Sequence, residues 1–417
     1  MWLFIFIIFI CFNFYLFPVE FDLLPGINTK MVLALLGCLQ FLYKCIVKQI
    51  SSFNQFFISI FLLACLVSLA GFISITLNDT YDTSYATYIV SMVTWISAAY
   101  FVVGLMSRIH KKLSFEIVAF YFVAACFFQC LIALVIDFLP SFKSIVDLVF
   151  NQNETFLNKD GRLYGIGASL DTAGIRFALC LILLIHLMNR IELSDRAFRI
   201  CVFAFIVIFI VGAMIARTTI VGFVLGGVLL LIYRSVSIKK VLIVLSASLF
   251  FFVLGWYLYN TNSDANEMIR FGLEPFFNYF GDERTFLAKS NENLLRMYIW
   301  PDNMKTWIIG DGYFNNPNTT DPYYLGQTTS WGYYMGTDVG YCRLIFYFGL
   351  TGLMIFTSFL LYSTKILFYA FNQHKYFFLF CFICGLFVWL KVSTDVFFVF
   401  APWLCLMSFK KENEKIL

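Results

Sequence analysis

Apolar stretches as long as a bilayer is thick follow one another through almost the whole chain, and this succession leaves few folds open. A helix that crosses lipid needs about 20 mainly apolar residues at a rise of about 1.5 Å each. Twelve stretches qualify, near 1–17, 30–47, 55–77, 87–106, 116–137, 168–188, 199–215, 218–233, 240–259, 339–362, 376–391 and 394–409. With 61% of the 417 residues hydrophobic and 13% charged, a water-soluble domain would carry far more apolar surface than one core can bury. The expected fold class is therefore all-α: a polytopic integral membrane protein with about twelve transmembrane helices. Helices 1–9 with short loops occupy residues 1–259, one large extracytoplasmic loop occupies 260–338, and helices 10–12 with a cytoplasmic tail occupy 339–417. The tightest joints, at Arg217 and at residues 392–394, leave the count between eleven and thirteen.

Charge orients the spans, because short cytoplasmic loops carry the excess of Lys and Arg. The connections with Lys44 and Lys48, with Arg108, Lys111 and Lys112, with Arg190, Arg196 and Arg199, with Arg234, Lys239 and Lys240, and with Lys365 and Lys375 fall on one side. The tail with Lys410 and Lys411 joins them. The intervening turns carry Glu20 and Asp22, Asp79 and Asp82, a mixed loop over 138–167, Arg217 alone, and then the segment 260–338, with ten acidic residues against five basic. Both termini are thus expected in the cytoplasm and the long acidic loop outside. The first stretch lacks a basic n-region and a small-residue cleavage site, so it reads as a retained span.

The formal charge of +4 comes from the inner loops and carries no nucleic-acid signal. All twelve cysteines lie within or at the ends of spans, so no disulfide framework is indicated, and Cys381 and Cys384 read as small packing residues in an apolar helix. The three histidines, His110, His186 and His374, fall on the cytoplasmic side. That leaves the outer face without an imidazole for a metal site or a Ser/His/Asp triad, and neither metal nor cofactor is expected there.

The outer face instead gathers arginines: Arg162, Arg176, Arg217 and Arg343 at or near membrane depth, with Arg270, Arg284 and Arg296 in the long loop. Arg176 lies roughly 12 Å of helix rise inside its span. An ionised side chain there costs about 2.5–3.5 kcal/mol unless it reaches water or a partner, so it stands either for function or for an arginine snorkelling to the interface. Arginine presents a planar fork of donors that matches phosphate oxygens. Several of them at one leaflet boundary suit a lipid-linked pyrophosphate. Within the long loop, Leu294, Leu295, Ile299 and Trp300 form an apolar stripe ending at Pro301. A glycine-rich step follows at residues 308–314, and then Tyr323, Tyr324, Trp331, Tyr333 and Tyr334 lie among amides and glycines, a mixture that fits either sugar faces or an interfacial aromatic belt.

Four short pieces over residues 155–355 resemble the membrane family of O-antigen polymerases (Wzy type) and O-antigen ligases. They are Gly161-Arg162-Leu163-Tyr164-Gly165 with Ser169-Leu170-Asp171-Thr172-Ala173-Gly174; Ala216-Arg217-Thr218-Thr219; Arg296 with Trp300 and Ile309-Gly310-Asp311-Gly312-Tyr313; and Asp338-Val339-Gly340-Tyr341-Cys342-Arg343-Leu344 with Gly349-Leu350-Thr351-Gly352. The ligases typically carry a histidine where this chain has Asp338, which favours the polymerase. The resemblance implies transfer of a glycan from undecaprenyl pyrophosphate onto a sugar hydroxyl of the next lipid-linked repeat unit, in lipopolysaccharide or a related surface polysaccharide. The place would be the periplasmic face of the bacterial inner membrane, with a chain-length regulator as a further partner and no metal or nucleotide sugar. It would give Arg162, Arg176, Arg217, Arg296 and Arg343, with Trp300 and Tyr313, to pyrophosphate and glycan binding. Asp338, with Asp171 behind it, would be the base. A helix cap is the competing reading of Asp338. A flippase or exporter of lipid-linked sugars is the competing class, although paired halves with broken helices at mid-membrane are not visible in the sequence.

Overall fold

In the computed structural model the described residues are 2–47, 55–110, 112–151, 162–233, 238–281, 289–314, 328–329, 332–333 and 337–416. The chain is all-α. Helices α1 (Trp2–Leu16), α2 (Thr29–Ile46), α3 (Gln55–Asn78), α4 (Tyr88–Ile109), α5 (Phe115–Phe138) and the short α6 (Pro140–Val149) precede α7 (Leu170–Arg190), α8 (Asp195–Ile215), α9 (Thr219–Tyr233) and α10 (Ile238–Thr261). Four short helices follow: α11 (Ser263–Gly272), α12 (Glu274–Phe280), α13 (Lys289–Arg296) and α14 (Met304–Ile309). The chain closes with α15 (Gly340–Ala370), α16 (Lys375–Val388) and α17 (Phe397–Ile416). Among the described residues, seven helices are long and apolar enough to cross a membrane: Thr29–Ile46, Phe56–Asn78, Tyr88–Ile109, Phe115–Phe138, Leu170–Arg190, Asp195–Ile215 and Gly340–Ala370. Trp2–Leu16, Thr219–Tyr233, Leu249–Thr261 and Phe397–Phe409 are shorter apolar helices.

The bundle is built around α7. Every residue from Ala173 to Met188 is buried, as expected of a helix that is apolar nearly all round, with Arg176 and His186 the exceptions, and α5, α8, α9 and α16 surround it. Small residues set the spacing. A Cβ on Gly222 of α9 would come within 2.2 Å of the Ala178 carbonyl oxygen, so glycine lets the two backbones touch. The outer helices reverse the soluble pattern, with Leu35, Leu39, Leu62 and Leu69 exposed, which is the surface a lipid solvent favours.

One element departs from its sequence pattern. The stretch 339–362 reads as one span, yet α15 breaks at Phe348 and Gly349, where Gly349 takes φ +68°. Only glycine adopts that conformation without a Cβ penalty. The break leaves the carbonyls of Phe346 and Tyr347 unpaired within the helix, and the loop step after α14 supplies their donors. Asp311 N–H donates to Phe346 O at 2.6 Å and Gly312 N–H to Tyr347 O at 3.0 Å. Asn78 and Thr80, at the end of α3, donate in turn to Gly310 O and Gly312 O at 3.0 and 2.9 Å. The glycine-rich piece of the long loop is thereby hydrogen-bonded into the bundle.

Candidate functional site

At the end of the bundle where α7 begins, three sequence-distant joints meet. Asp171 stands in the first turn of α7, Thr218 in the short joint between α8 and α9, and Lys391 in the turn between α16 and α17. Lys391 Nζ lies 2.8 Å from Asp171 Oδ1 and 3.4 Å from Thr218 Oγ1, and the Thr218 hydroxyl donates to the same carboxylate oxygen. The Lys391 turn is itself pinned. Trp389 Nε1 donates to Thr394 O at 2.9 Å, Tyr341 N–H to Trp389 O at 3.0 Å, and the Tyr298 hydroxyl, from the long loop, to Leu390 O.

Beside this group Arg217 pairs with Glu274 Oε2 at 2.6 Å. Its guanidinium lies 4.3 Å from the Phe271 ring centre, and the Arg162 guanidinium lies 5.2 Å from the same ring. One aromatic side chain from α11 therefore gathers two arginines from different loops, a cation–π arrangement that holds like charges side by side. Burial lowers the Arg217 pKa from its ordinary value, and Glu274 opposes the shift; an arginine stays protonated regardless. On the third side the Arg343 guanidinium sits 4.6 Å from the Phe314 ring centre, and Phe314 N–H donates to Asp82 Oδ2 at 2.8 Å.

Asp338 joins the two halves electrostatically. It is exposed at the mouth of this region, but the surrounding protein still pushes its carboxyl above the usual carboxylate range. Burial is the main cause, Arg343 and Lys391 oppose it, and Asp171 reinforces it. It is not the helix cap. Val339 occupies the cap position of α15 without a side-chain cap bond, and Val339 N–H donates instead to the Thr337 hydroxyl at 3.1 Å.

Arg162, Arg217, Arg343, Asp171 and Asp338 thus come together from segments spread over more than 170 residues. Arg176 turns elsewhere. It is 7% exposed, its guanidinium donates to the carbonyls of Leu16 and Thr172, and it lies 4.8 Å from the Phe398 ring centre, so it closes the C-terminal end of α1. Tyr313 is also placed away from the mouth: at 3% exposure it packs with Val339, Cys342 and Phe346 as part of the floor. Arg296 is at the end of α13, and Trp300 is exposed and stacked on Trp307 at 5.9 Å between ring centres and 9° between planes. Of the loop aromatics, Tyr323, Tyr324, Trp331 and Tyr334 lie outside the described residues, as do Gly161 and Arg284.

Sequence reasoning missed Lys391, Glu274 and Phe271. A single lysine in a short turn between two apolar runs was the available signal for Lys391. Nothing local distinguishes Glu274 among the ten acidic residues of its segment. Chemically the arrangement offers four cations at one mouth and one carboxylate, Asp338, that is not committed to an ion pair among the described residues. Comparison with known protein families, with curated proteins and with solved structures finds no match for this chain.

Proposed function

We propose that the chain is a membrane glycosyltransferase that polymerises lipid-linked oligosaccharide repeat units. It would move the growing glycan from undecaprenyl pyrophosphate onto a hydroxyl of the next unit. The topology belongs to the same reading: twelve crossings, both termini in the cytoplasm, and the segment 260–338 on the periplasmic side of a bacterial inner membrane. The observation that carries it is the convergence of Arg162, Arg217, Arg343 and Lys391 with Asp338, which makes no ion pair among the described residues, at one end of an otherwise apolar bundle. Cations at a membrane boundary suit a ligand whose anion rides at the headgroup level while its tail stays in lipid.

The reaction follows from those roles. Asp338 accepts the proton of the acceptor hydroxyl, the oxygen attacks the anomeric carbon of the donor glycan, and the bond from that carbon to pyrophosphate oxygen breaks. The leaving pyrophosphate keeps the electron pair, and the cations stabilise the charge that develops on it. No external co-reactant is needed, because the donor is already activated.

A charge-assisted bond to phosphate contributes about 1.5–3 kcal/mol, more where water is excluded. Arg162→Ala or Arg217→Ala should therefore cut polymerisation at least tenfold at normal membrane abundance. Lysine should restore only part of it, lacking the bidentate fork. In the host bacterium, loss of the protein should leave single repeat units on their lipid carrier at the outer face, and the wild-type chain should restore polymer. Polymerised glycan accumulating on the carrier would point to a ligase, and units retained inside would point to an exporter. Full activity in both alanine variants would end the pyrophosphate assignment.

A further inference from the structure

Among the described residues the cations of the outward cluster already face carboxylates of the protein itself. Lys391 pairs with Asp171 and Arg217 with Glu274, while Asp338 and Asp82 both bear electrostatically on Arg343. A lipid-linked glycosyl pyrophosphate carries about two negative charges, one per phosphate. An anion entering this cluster therefore meets guanidinium donors that a carboxylate of the protein already engages.

The two carboxylates engaged in ion pairs are held differently. Asp171 belongs to the buried α7 and is fixed by the Thr218 hydroxyl as well as by Lys391. Glu274 opens α12, a seven-residue helix in the long segment. It reaches Arg217 with one oxygen at 2.6 Å while 24% of its side chain stays exposed. Carboxylate and phosphate oxygens compete for the same guanidinium donors. Phe271, on the preceding helix, continues to hold Arg217 and Arg162 whatever Glu274 does.

Resting on the pyrophosphate reading, we infer that Glu274 is a built-in competitor of the substrate: it occupies the Arg217 guanidinium in the empty protein, and the incoming pyrophosphate displaces it. Its departure frees the Arg217 donors for the phosphate oxygens and makes the mouth more positive by one charge. The pair keeps the arginines satisfied between turnovers and makes the site reject weaker anions, which cannot compensate for breaking it. Removal of a side chain at the site should then tighten binding, the opposite of what loss of a ligand contact does.

The experiment uses the full-length protein purified in detergent and titrated calorimetrically with farnesyl pyrophosphate as a soluble stand-in. Wild type should bind. Glu274→Gln, and Glu274→Ala as a second variant in case one folds poorly, should bind at least fivefold more tightly, and Arg217→Ala at least tenfold more weakly. The double variant Arg217→Ala with Glu274→Gln should bind no better than Arg217→Ala alone, because the ion pair that competes with the anion is already gone. If wild type binds and both Glu274 variants bind equally well or less well, Glu274 is structural and the inference is overturned while the pyrophosphate reading stands. If monodisperse wild-type protein binds no prenyl pyrophosphate, that reading falls and takes the competitor with it.

Discussion

Two carboxylates stand within reach of the same cations, and their surroundings assign them different work. Asp171 is held by Lys391 at 2.8 Å and by the Thr218 hydroxyl, so taking a proton would cost it those bonds. Asp338 carries no such commitment among the described residues, and its pKa is shifted upward by burial, toward the working pH of a general base. Asp338→Asn should therefore slow polymerisation by about 10²–10⁴-fold while donor binding persists. The pH profile carries the sign. Below the raised pKa the carboxyl is protonated and cannot accept a proton, so the rate falls as pH falls, and the acidic limb should lie above the ordinary aspartate value of about 3.9. Near-normal polymer from the Asn variant would move the base to Asp171 or to the substrate.

Asp311 gives a second residue-scale test, on stability rather than rate. It is 6% exposed; the Thr306 hydroxyl donates to Oδ1 at 2.6 Å, and Oδ2 has no hydrogen-bond partner among the described residues. Burial raises its pKa, with Thr306 and Lys305 opposing. At a pH below the unfolded value both states are protonated and nothing is lost. As pH rises through the raised folded value, the unfolded chain releases its proton more readily and stability falls. Asp311→Asn mimics the protonated form at every pH, so it should match wild type near pH 4 and melt higher near pH 8. Thermal unfolding in detergent at both pH values measures this, and a gap that does not widen with pH would refute the assignment.

At the scale of elements, the other end of α7 is tied by a chain of polar groups that the proposed chemistry does not use. Tyr233 Oη lies 2.6 Å from His186 Nδ1, His186 Nε2 2.8 Å from His374 Nδ1, and His374 Nε2 3.4 Å from Glu116 Oε1. An ionised Glu116 only accepts, so it orders the chain: His374 donates from Nε2, His186 donates from Nε2, and the Tyr233 hydroxyl donates to His186 Nδ1. Phe115 stacks on His374 at 3.8 Å, covering one face of its ring. Four elements, α5, α7, α9 and the turn before α16, are clasped this way. His186→Ala should cost about 1–3 kcal/mol for each buried polar group it strands. It should lower the melting temperature without changing prenyl pyrophosphate affinity, since it stands 15 residues, about 22 Å of rise, from Asp171. An unchanged melting temperature would show that the clasp contributes nothing.

The same contrast explains what could be read from the chain. A helix stands in each of the twelve apolar stretches because helix length and apolar periodicity are local properties. The Arg217–Thr218 joint was legible because a charge between two apolar runs has few places to go. Lys391 with Asp171 was not, since 220 residues separate the partners and only packing brings them together. The break at Gly349 was hidden for a related reason: a glycine inside an apolar run looks like a packing residue until a loop 38 positions earlier supplies its missing donors. Arg176 shows the converse, a charge at membrane depth whose partners turn out to be two backbone carbonyls.

At the scale of the whole molecule the proposal depends on which end of the bundle faces outward. The seven long apolar helices establish membrane character, but they would satisfy lipid equally well upside down. Orientation rests on the loops: the basic connections and the tail with Lys410 and Lys411 on one side, the acidic segment 260–338 on the other. The single substitutions Asp302→Cys, at an exposed position before α14, and Lys411→Cys, in the tail, separate the alternatives. In intact spheroplasts an impermeant maleimide should label the Asp302→Cys variant and not the Lys411→Cys variant above the background of the twelve native thiols, and lysis should expose both. The reverse pattern would carry the Arg217 cluster into the cytoplasm and His186 and His374 to the outer face. A lipid-linked glycan on the periplasmic side would then never meet the arginines, so this one measurement decides whether the site can do the chemistry assigned to it.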